Sequence, residues 1–182
     1  MTDSPSGDAS FEKLFHAQQR RLLGYLIGMS GDFHVAEDIL NQSFLVVWRQ
    51  WHRPEIKSGS PIPYLFKVAR HLMVRTLDQR RYIPQPEADS TEDLADTAEP
   101  AEETALLRKQ LQWALSHLSP REREAIILRY YLGYGCSMTA QIMSSKTTPI
   151  SVGAVKRYAA DGRRKLRALL DQQHFDDEGG TQ

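Results

Sequence analysis

The chain has 182 residues, with 23 Lys plus Arg against 23 Asp plus Glu and a hydrophobic share of 41%. That is enough apolar material for one or two small cores, but no apolar run reaches the ~20 residues needed to cross a bilayer, so membrane insertion is excluded. The single cysteine, Cys136, rules out an internal disulfide, fits a cytoplasmic setting and reads as a small packed residue rather than a redox sensor. Residues 1–9 are polar, show no export signal and are expected to be disordered.

From residue 10 to residue 83 apolar side chains recur at helical spacing. Phe11, Leu14, Phe15, Leu22, Leu23, Leu26 and Ile27 mark a first helix that stops at Ser30-Gly31. Asp32 caps a second, whose stripe runs through Ala36, Ile39, Leu40, Phe44, Val47 and Trp51 until Pro54 closes it. A loop with Ser58, Gly59, Ser60, Pro61 and Pro63 leads to a third helix from Tyr64, with Leu65, Val68, Leu72 and Met73 facing inward. Lys67, Arg70, His71 and Arg75 share a broad face away from that set, and Trp48, Trp51, Tyr64, Phe66 and Tyr82 lie close by. Cations interleaved with aromatic rings suit an unpaired DNA strand, because phosphates take the charge and exposed bases stack on the rings. The rings also fit a core, and core packing is the favoured role for Trp48 and Phe66.

A net charge of zero hides segregation. Residues Glu87 to Glu103 hold eight acids and no Lys or Arg, whereas Lys67, Arg70, Arg75, Arg80 and Arg81 face only Asp78 between Lys67 and Arg81. Residues 84–103 also carry Pro84, Pro86 and Pro100 and few large apolar groups, so they read as a flexible acidic linker. Its acids keep it solvated, or else mimic nucleic acid and shield a basic surface.

Residues 104–171 form the second expected domain, ahead of an acidic, disordered tail over 172–182. Ser119-Pro120-Arg121-Glu122 has the form of a capping box with Pro at the first helical position, opening a helix that runs to Leu132 and stops at Gly133. A short helix spans about Met138 to Met143, and Ser144 to Pro149 break it. Ser151 then caps a last helix to about Leu170, which carries Lys156, Arg157, Arg163, Arg164, Lys165 and Arg167 against Asp161 alone. This is a helix-turn-helix pattern, with cations for DNA phosphates and the start of the last helix free to reach base edges. No segment alternates with period two, so the fold class is all-α: two small helical domains joined by a linker.

Catalysis finds no support. The six histidines are scattered without metal-ligand spacing, no Gly-rich phosphate loop follows a strand, and the neighbours Glu37 and Asp38 point apart on a helix. No enzyme activity, metal or cofactor is expected. A DNA-binding role remains, and one form of it is a conventional helix-turn-helix regulator whose N-terminal helices sense a ligand or dimerise; a sensing domain would not need the basic, aromatic-bearing third helix.

Three stretches carry a family resemblance: VAEDILNQSFLVVWRQW from Val35, YLFKVARHLMVRTLDQRR from Tyr64, and LSPREREAIILRYYLG from Leu118 with ISVGAVKRYAADGRRKLRALL from Ile150. In order and spacing they resemble the bacterial extracytoplasmic-function sigma factors. The resemblance implies a region 2 helical bundle over residues 10–83 and a region 4 helix-turn-helix over residues 104–171. It implies core RNA polymerase as partner, through the β′ clamp helices and the β flap, with Glu37, Asp38, Gln42 and Trp48 at the clamp contact. It implies that the loop from His52 to Pro63, with Lys57 and Ser58, captures a base flipped from the −10 element, and that Lys67, Arg70, His71 and Arg75 line the non-template strand. Ser151, Val152, Ala154, Lys156 and Arg157 would read the −35 element, with Arg163 and Arg164 turned to phosphates or polymerase. An anti-sigma protein is a further implied partner, and Ser43 on the docking helix is a candidate phosphorylation site.

The chain departs from the family pattern at four places. Gln42 replaces a common acid, Pro63 a common aromatic, and Met138-Thr139-Ala140 the acidic-Ile-Ala signature, while the turn from Ser144 to Pro149 is several residues too long for the pattern. Val155 to Tyr158 is similar to the iron-uptake branch of the family.

Overall fold

The computed structural model describes residues 5–53, 56, 60–81, 102–145 and 147–178. Among these every regular element is helical, and the chain divides into two units, Met1–Glu92 and Asp93–Gln182. Residues 84–101 of the expected linker lie outside the described residues, as do 1–4, Pro54, Lys57, Ser58, Lys146 and 179–182.

In the first unit, α1 (Pro5–Ser30), α2 (Phe33–Arg49) and α3 (Pro61–Arg81) pack against one another. Gly31 makes the first turn with φ at 78°, a left-handed conformation that an L side chain resists, and its amide donates to the Ile27 carbonyl at 2.8 Å. Asp32 then caps α2, its Oδ1 accepting from the Val35 amide at 2.9 Å. Leu22, Tyr25, Leu26, Val35, Ala36, Ile39, Val47, Leu65, Phe66, Ala69 and Met73 close the core, each at most 2% exposed. Each large one contributes about 1.5–3 kcal/mol by leaving water.

The structure corrects three boundaries here. Helix α1 begins at Pro5, so residues 5–9 are helical rather than disordered; Phe11 packs on Trp48 and Trp51, and the helix continues backward from that hold. Helix α2 ends at Arg49, leaving Trp51 beyond it yet only 6% exposed. Helix α3 begins at Pro61 rather than Tyr64, since Pro61 and Pro63 both fall in its first turn, where their missing N–H groups cost no helical bond.

The second unit contains α4 (Glu102–Ser116), α5 (Pro120–Ile126), α6 (Cys136–Met143) and α7 (Val152–Glu178). Sequence reading misses α4, whose first residues, Glu102 and Glu103, read as linker. Leu115 and Leu118, at and after its end, form a cluster with Ile126 and Leu166. The capping box opens α5 as expected: the Ser119 Oγ accepts from the Glu122 amide at 3.4 Å, and Glu122 Oε2 accepts from the Ser119 amide at 3.0 Å. Beyond Ile126 the helix widens into a π turn, Ile127–Tyr131, and ends at Gly133 with φ at 70°. Helix α7 continues to Glu178, eight residues past Leu170, so residues 172–178 are helical rather than a disordered tail.

Helix α7 is seated by a close crossing and a charged tie. Val155, Ala159, Gly162 and Leu166 fall on one stripe at helical spacing, with Val155 and Ala159 buried at 0% and 4% exposure. At Gly162 a Cβ would come within 2.9 Å of Ile126 Cγ1 and 3.3 Å of the Glu122 carbonyl oxygen, so only glycine lets α5 approach this closely. Lys165 Nζ then donates to both Glu122 carboxylate oxygens, at 2.8 and 2.9 Å. Burial alone would raise the Glu122 pKa; hydrogen bonds from Lys165 and Ser119, and the Lys165 charge, outweigh it and hold the carboxyl below its ordinary 4.5.

Candidate nucleic-acid interface

Two faces of the first unit carry the residues singled out in the sequence. On α2, Glu37, Asp38 and Gln42 are exposed, and Trp48 is 37% exposed with its ring edge-on to Phe11 at 4.8 Å. Trp48 is therefore shared between core and surface rather than a core residue. Leu45, seven residues after Asp38 on the same stripe, is 48% exposed and escapes the sequence reading; its signal is an apolar residue off the buried stripe of α2. Ser43 is corrected outright, because it is fully buried with its Oγ donating to the Ile39 carbonyl, out of reach of a kinase.

On α3, Lys67, His71 and Arg75 are exposed and Arg70 is half-buried. His71, Val74, Arg75, Asp78 and Gln79 border an open depression of about 380 Å³, with Val74 49% exposed between the cations. Phe66 belongs to the core, its ring edge-on to Tyr25 at 5.2 Å. His52 lies exposed beside Trp48, with ring centroids 6.5 Å apart. The structure thus brings cations and rings to one unit: Trp51 and Phe66 are buried, Tyr64 is half-buried and Trp48 is exposed, while Tyr82 lies outside the described residues.

In the second unit the start of α7 is free. Ser151 caps it, its Oγ accepting from the Ala154 amide at 3.1 Å. Ser151, Val152, Lys156, Arg157, Arg163 and Arg164 are exposed and Ala154 is half-buried, all off the buried stripe. Arg164 pairs with Asp161 at 2.9 Å, which leaves Arg163 with the less encumbered charge of the two. The long turn before α7 is pinched at its base: the Ile150 amide donates to Ser144 Oγ at 2.8 Å, while the Ser145 amide donates to the Thr148 carbonyl at 3.1 Å. Ser145, Thr147, Thr148 and Pro149 are exposed, and the start of α7 keeps an ordinary cap. Thr139 and Ala140 are buried, so the altered scaffold signature faces inward. Cys136 is half-buried at the start of α6 rather than packed away.

Comparison with known proteins reads the same two units. The Sigma-70 region 2 family model matches residues 14–82, and the Sigma-70, region 4 model matches residues 108–166. The RNA polymerase sigma factor CarQ of Myxococcus xanthus is 32% identical over 168 residues, covering 90% of each chain. The chain belongs to the extracytoplasmic-function sigma factors. SigL of Mycobacterium tuberculosis is 30% identical over 171 residues, again 90% of each, and SigX of Bacillus subtilis is 26% identical over 181 residues, covering 94% of this chain and 90% of its own. Among solved structures, the sigma factor RpoE of Bartonella quintana, in complex with the anti-sigma factor NepR, shares the fold with a TM-score of 0.68 at 20% identity over 89% of this chain and 97% of its own. This sigma factor works in transcription initiation with RNA polymerase, and sigma factors are not enzymes. The alternative of a helix-turn-helix regulator with a sensing domain is set aside. No helix among the described residues is long and apolar enough to cross a membrane.

Proposed function

We propose that this sigma factor works on promoters through three separate surfaces. Glu37, Asp38, Gln42, Leu45 and Trp48 dock on the β′ clamp helices of core polymerase. The acids steer a basic partner, while Leu45 and Trp48 supply the apolar area that acids cannot. His52, with Lys57 and Ser58 of the following loop, holds the base extruded from the −10 element, and Lys67, Arg70, His71 and Arg75 carry the non-template strand. Ser151, Val152, Ala154, Lys156 and Arg157 read the −35 element in the major groove, with Arg163 and Arg164 on flanking phosphates or the β flap. A cytoplasmic location fits this work, and an anti-sigma protein that covers these surfaces fits as regulator, since one structural neighbour was solved with such a partner.

The observation that carries the reading is the exposed cationic face of α3, on a helix whose opposite side is fully buried. Duplex recognition by α7 alone gives no use for it. Charge reversal at Arg70 and Arg75 tests the point: permanganate reactivity of −10 thymines should fall while −35 duplex affinity is retained. An equal loss in both assays would remove the strand assignment.

A further inference from the structure

The chain entering the segment 52–63 is held from two sides. The Phe11 ring of α1 sits edge-on to three others, with centroids 4.8 Å from Trp48, 5.3 Å from Trp51 and 6.2 Å from Phe44. The Trp51 Nε1–H donates to Ser10 Oγ at 3.2 Å, across 41 residues of sequence. From the other side, the Tyr64 hydroxyl at the start of α3 donates to Gln50 Oε1 at 2.6 Å. Between these ties the backbone winds tightly: Trp51 N bonds Trp48 O at 3.0 Å, Arg53 N bonds Gln50 O at 2.9 Å, and Ile56 N bonds Arg53 O at 3.0 Å. Trp51 and Ile56 point inward at 6% and 7% exposure, while His52 and Arg53 stay exposed. Ser10 and Phe11 precede the region 2 match, which starts at residue 14, so that match gives them no role.

We propose that Ser10 and Phe11 are positioning residues for −10 base capture, an inference that rests on the reading of segment 52–63 given above. They touch no DNA. They fix Trp48 and Trp51, and through them the height and orientation of His52 and Arg53 against the extruded base. A pocket that selects one base must keep its polar groups within about 0.5 Å of the productive geometry, which a loop does not achieve unaided. The edge-to-face contacts of Phe11 restrict both indoles, and Ser10 supplies the acceptor that a buried indole N–H requires. The N-terminal turns of α1 therefore act as a bracket behind the base pocket.

The test is run-off transcription with core RNA polymerase on promoters that differ only in each −10 base, for the wild-type chain, Phe11→Ala, Phe11→Leu, Ser10→Ala and Ser10→Thr. Phe11→Ala should lower discrimination at the captured base by about tenfold, with Phe11→Leu intermediate because it keeps bulk without the ring edge. Ser10→Ala should lower it less, and Ser10→Thr, which keeps the hydroxyl, should restore it. Affinity for −35 duplex should stay at the wild-type level throughout, and because Phe11 also packs on the docking residue Trp48, core polymerase is supplied at saturation so that base discrimination is read apart from docking. Unchanged discrimination in both alanine variants, or an equal drop on every −10 sequence, would overturn the proposal. A wild-type chain without preference at any −10 base would overturn the base-capture reading itself, and this inference with it.

Discussion

Replacing Gly162 with alanine puts the packing of the recognition helix to a quantitative test. In an open helix interior Ala is favoured over Gly by about 1 kcal/mol, so the substitution would ordinarily stabilise. Here the new Cβ meets Ile126 Cγ1 at 2.9 Å and the Glu122 Cβ and carbonyl oxygen at 3.3 Å each. Neither neighbour can retreat freely, because Ile126 is 8% exposed within the cluster and Glu122 is tied to both Ser119 and Lys165. Overpacking of this kind costs about 1–3 kcal/mol, which cancels the propensity gain and leaves a net loss of up to about 2 kcal/mol. Gly153 on the same helix is the control, since its added Cβ would find only Ser151 Oγ, at 3.8 Å. Gly153→Ala should gain about 0.5–1 kcal/mol. Native-state hydrogen exchange of buried α5 and α7 amides isolates this unit from the other, and should show faster exchange for Gly162→Ala and slower exchange for Gly153→Ala. Equal protection gains in the two variants would refute the close crossing.

Further outcomes follow from the same packing and charges. Glu122→Gln should destabilise the second unit at neutral pH. Because the folded carboxyl titrates below its ordinary 4.5, its contribution is present above that value and fades as pH falls through the lowered folded pKa, so wild type and variant should converge in acid; a pH-independent difference between their urea midpoints would contradict the Lys165 tie. Ser43→Asp should unfold the first unit by burying an unpaired charge, whereas Ser43→Ala should retain core-polymerase binding, checked by circular dichroism and pull-down; a folded, soluble Ser43→Asp chain would contradict the buried placement. Lys156→Glu with Arg157→Glu should weaken −35 duplex binding and reduce its salt slope by about one for each phosphate that is no longer neutralised, with an unchanged slope showing that neither side chain reaches phosphate.

Local chemistry is the legible part of this chain. Asp32, Ser119, Glu122 and Ser151 cap the helices that their sequence positions imply, and Gly31 and Gly133 end helices through positive φ. Each depends on neighbours within four residues, which a linear reading sees. What such a reading misses depends on distant partners. Gly162 looks like a weak point in a helix until Ile126 and Glu122 arrive against it, and Lys165 looks like one more basic residue until it meets Glu122, 43 positions away. Helix α4 is lost because its Glu102-Glu103 start continues the acids of the linker, while Leu106, Leu107 and Leu111 remain 54%, 58% and 47% exposed and form no clean buried stripe. The site is legible as charge on α3 and α7. Leu45 is not, because a single apolar residue off a buried stripe is common on helix surfaces, and its place beside Asp38 counts only once its exposure is known.

On the proposed reading, one chain both joins the polymerase and chooses where it starts. The most direct measurement is run-off transcription with purified chain and core RNA polymerase, on a promoter selected from random DNA by that complex. A single start site is expected, and it should disappear when either the −35 or the −10 element is scrambled. Duplex binding by the chain with no effect on where the polymerase initiates would contradict that reading.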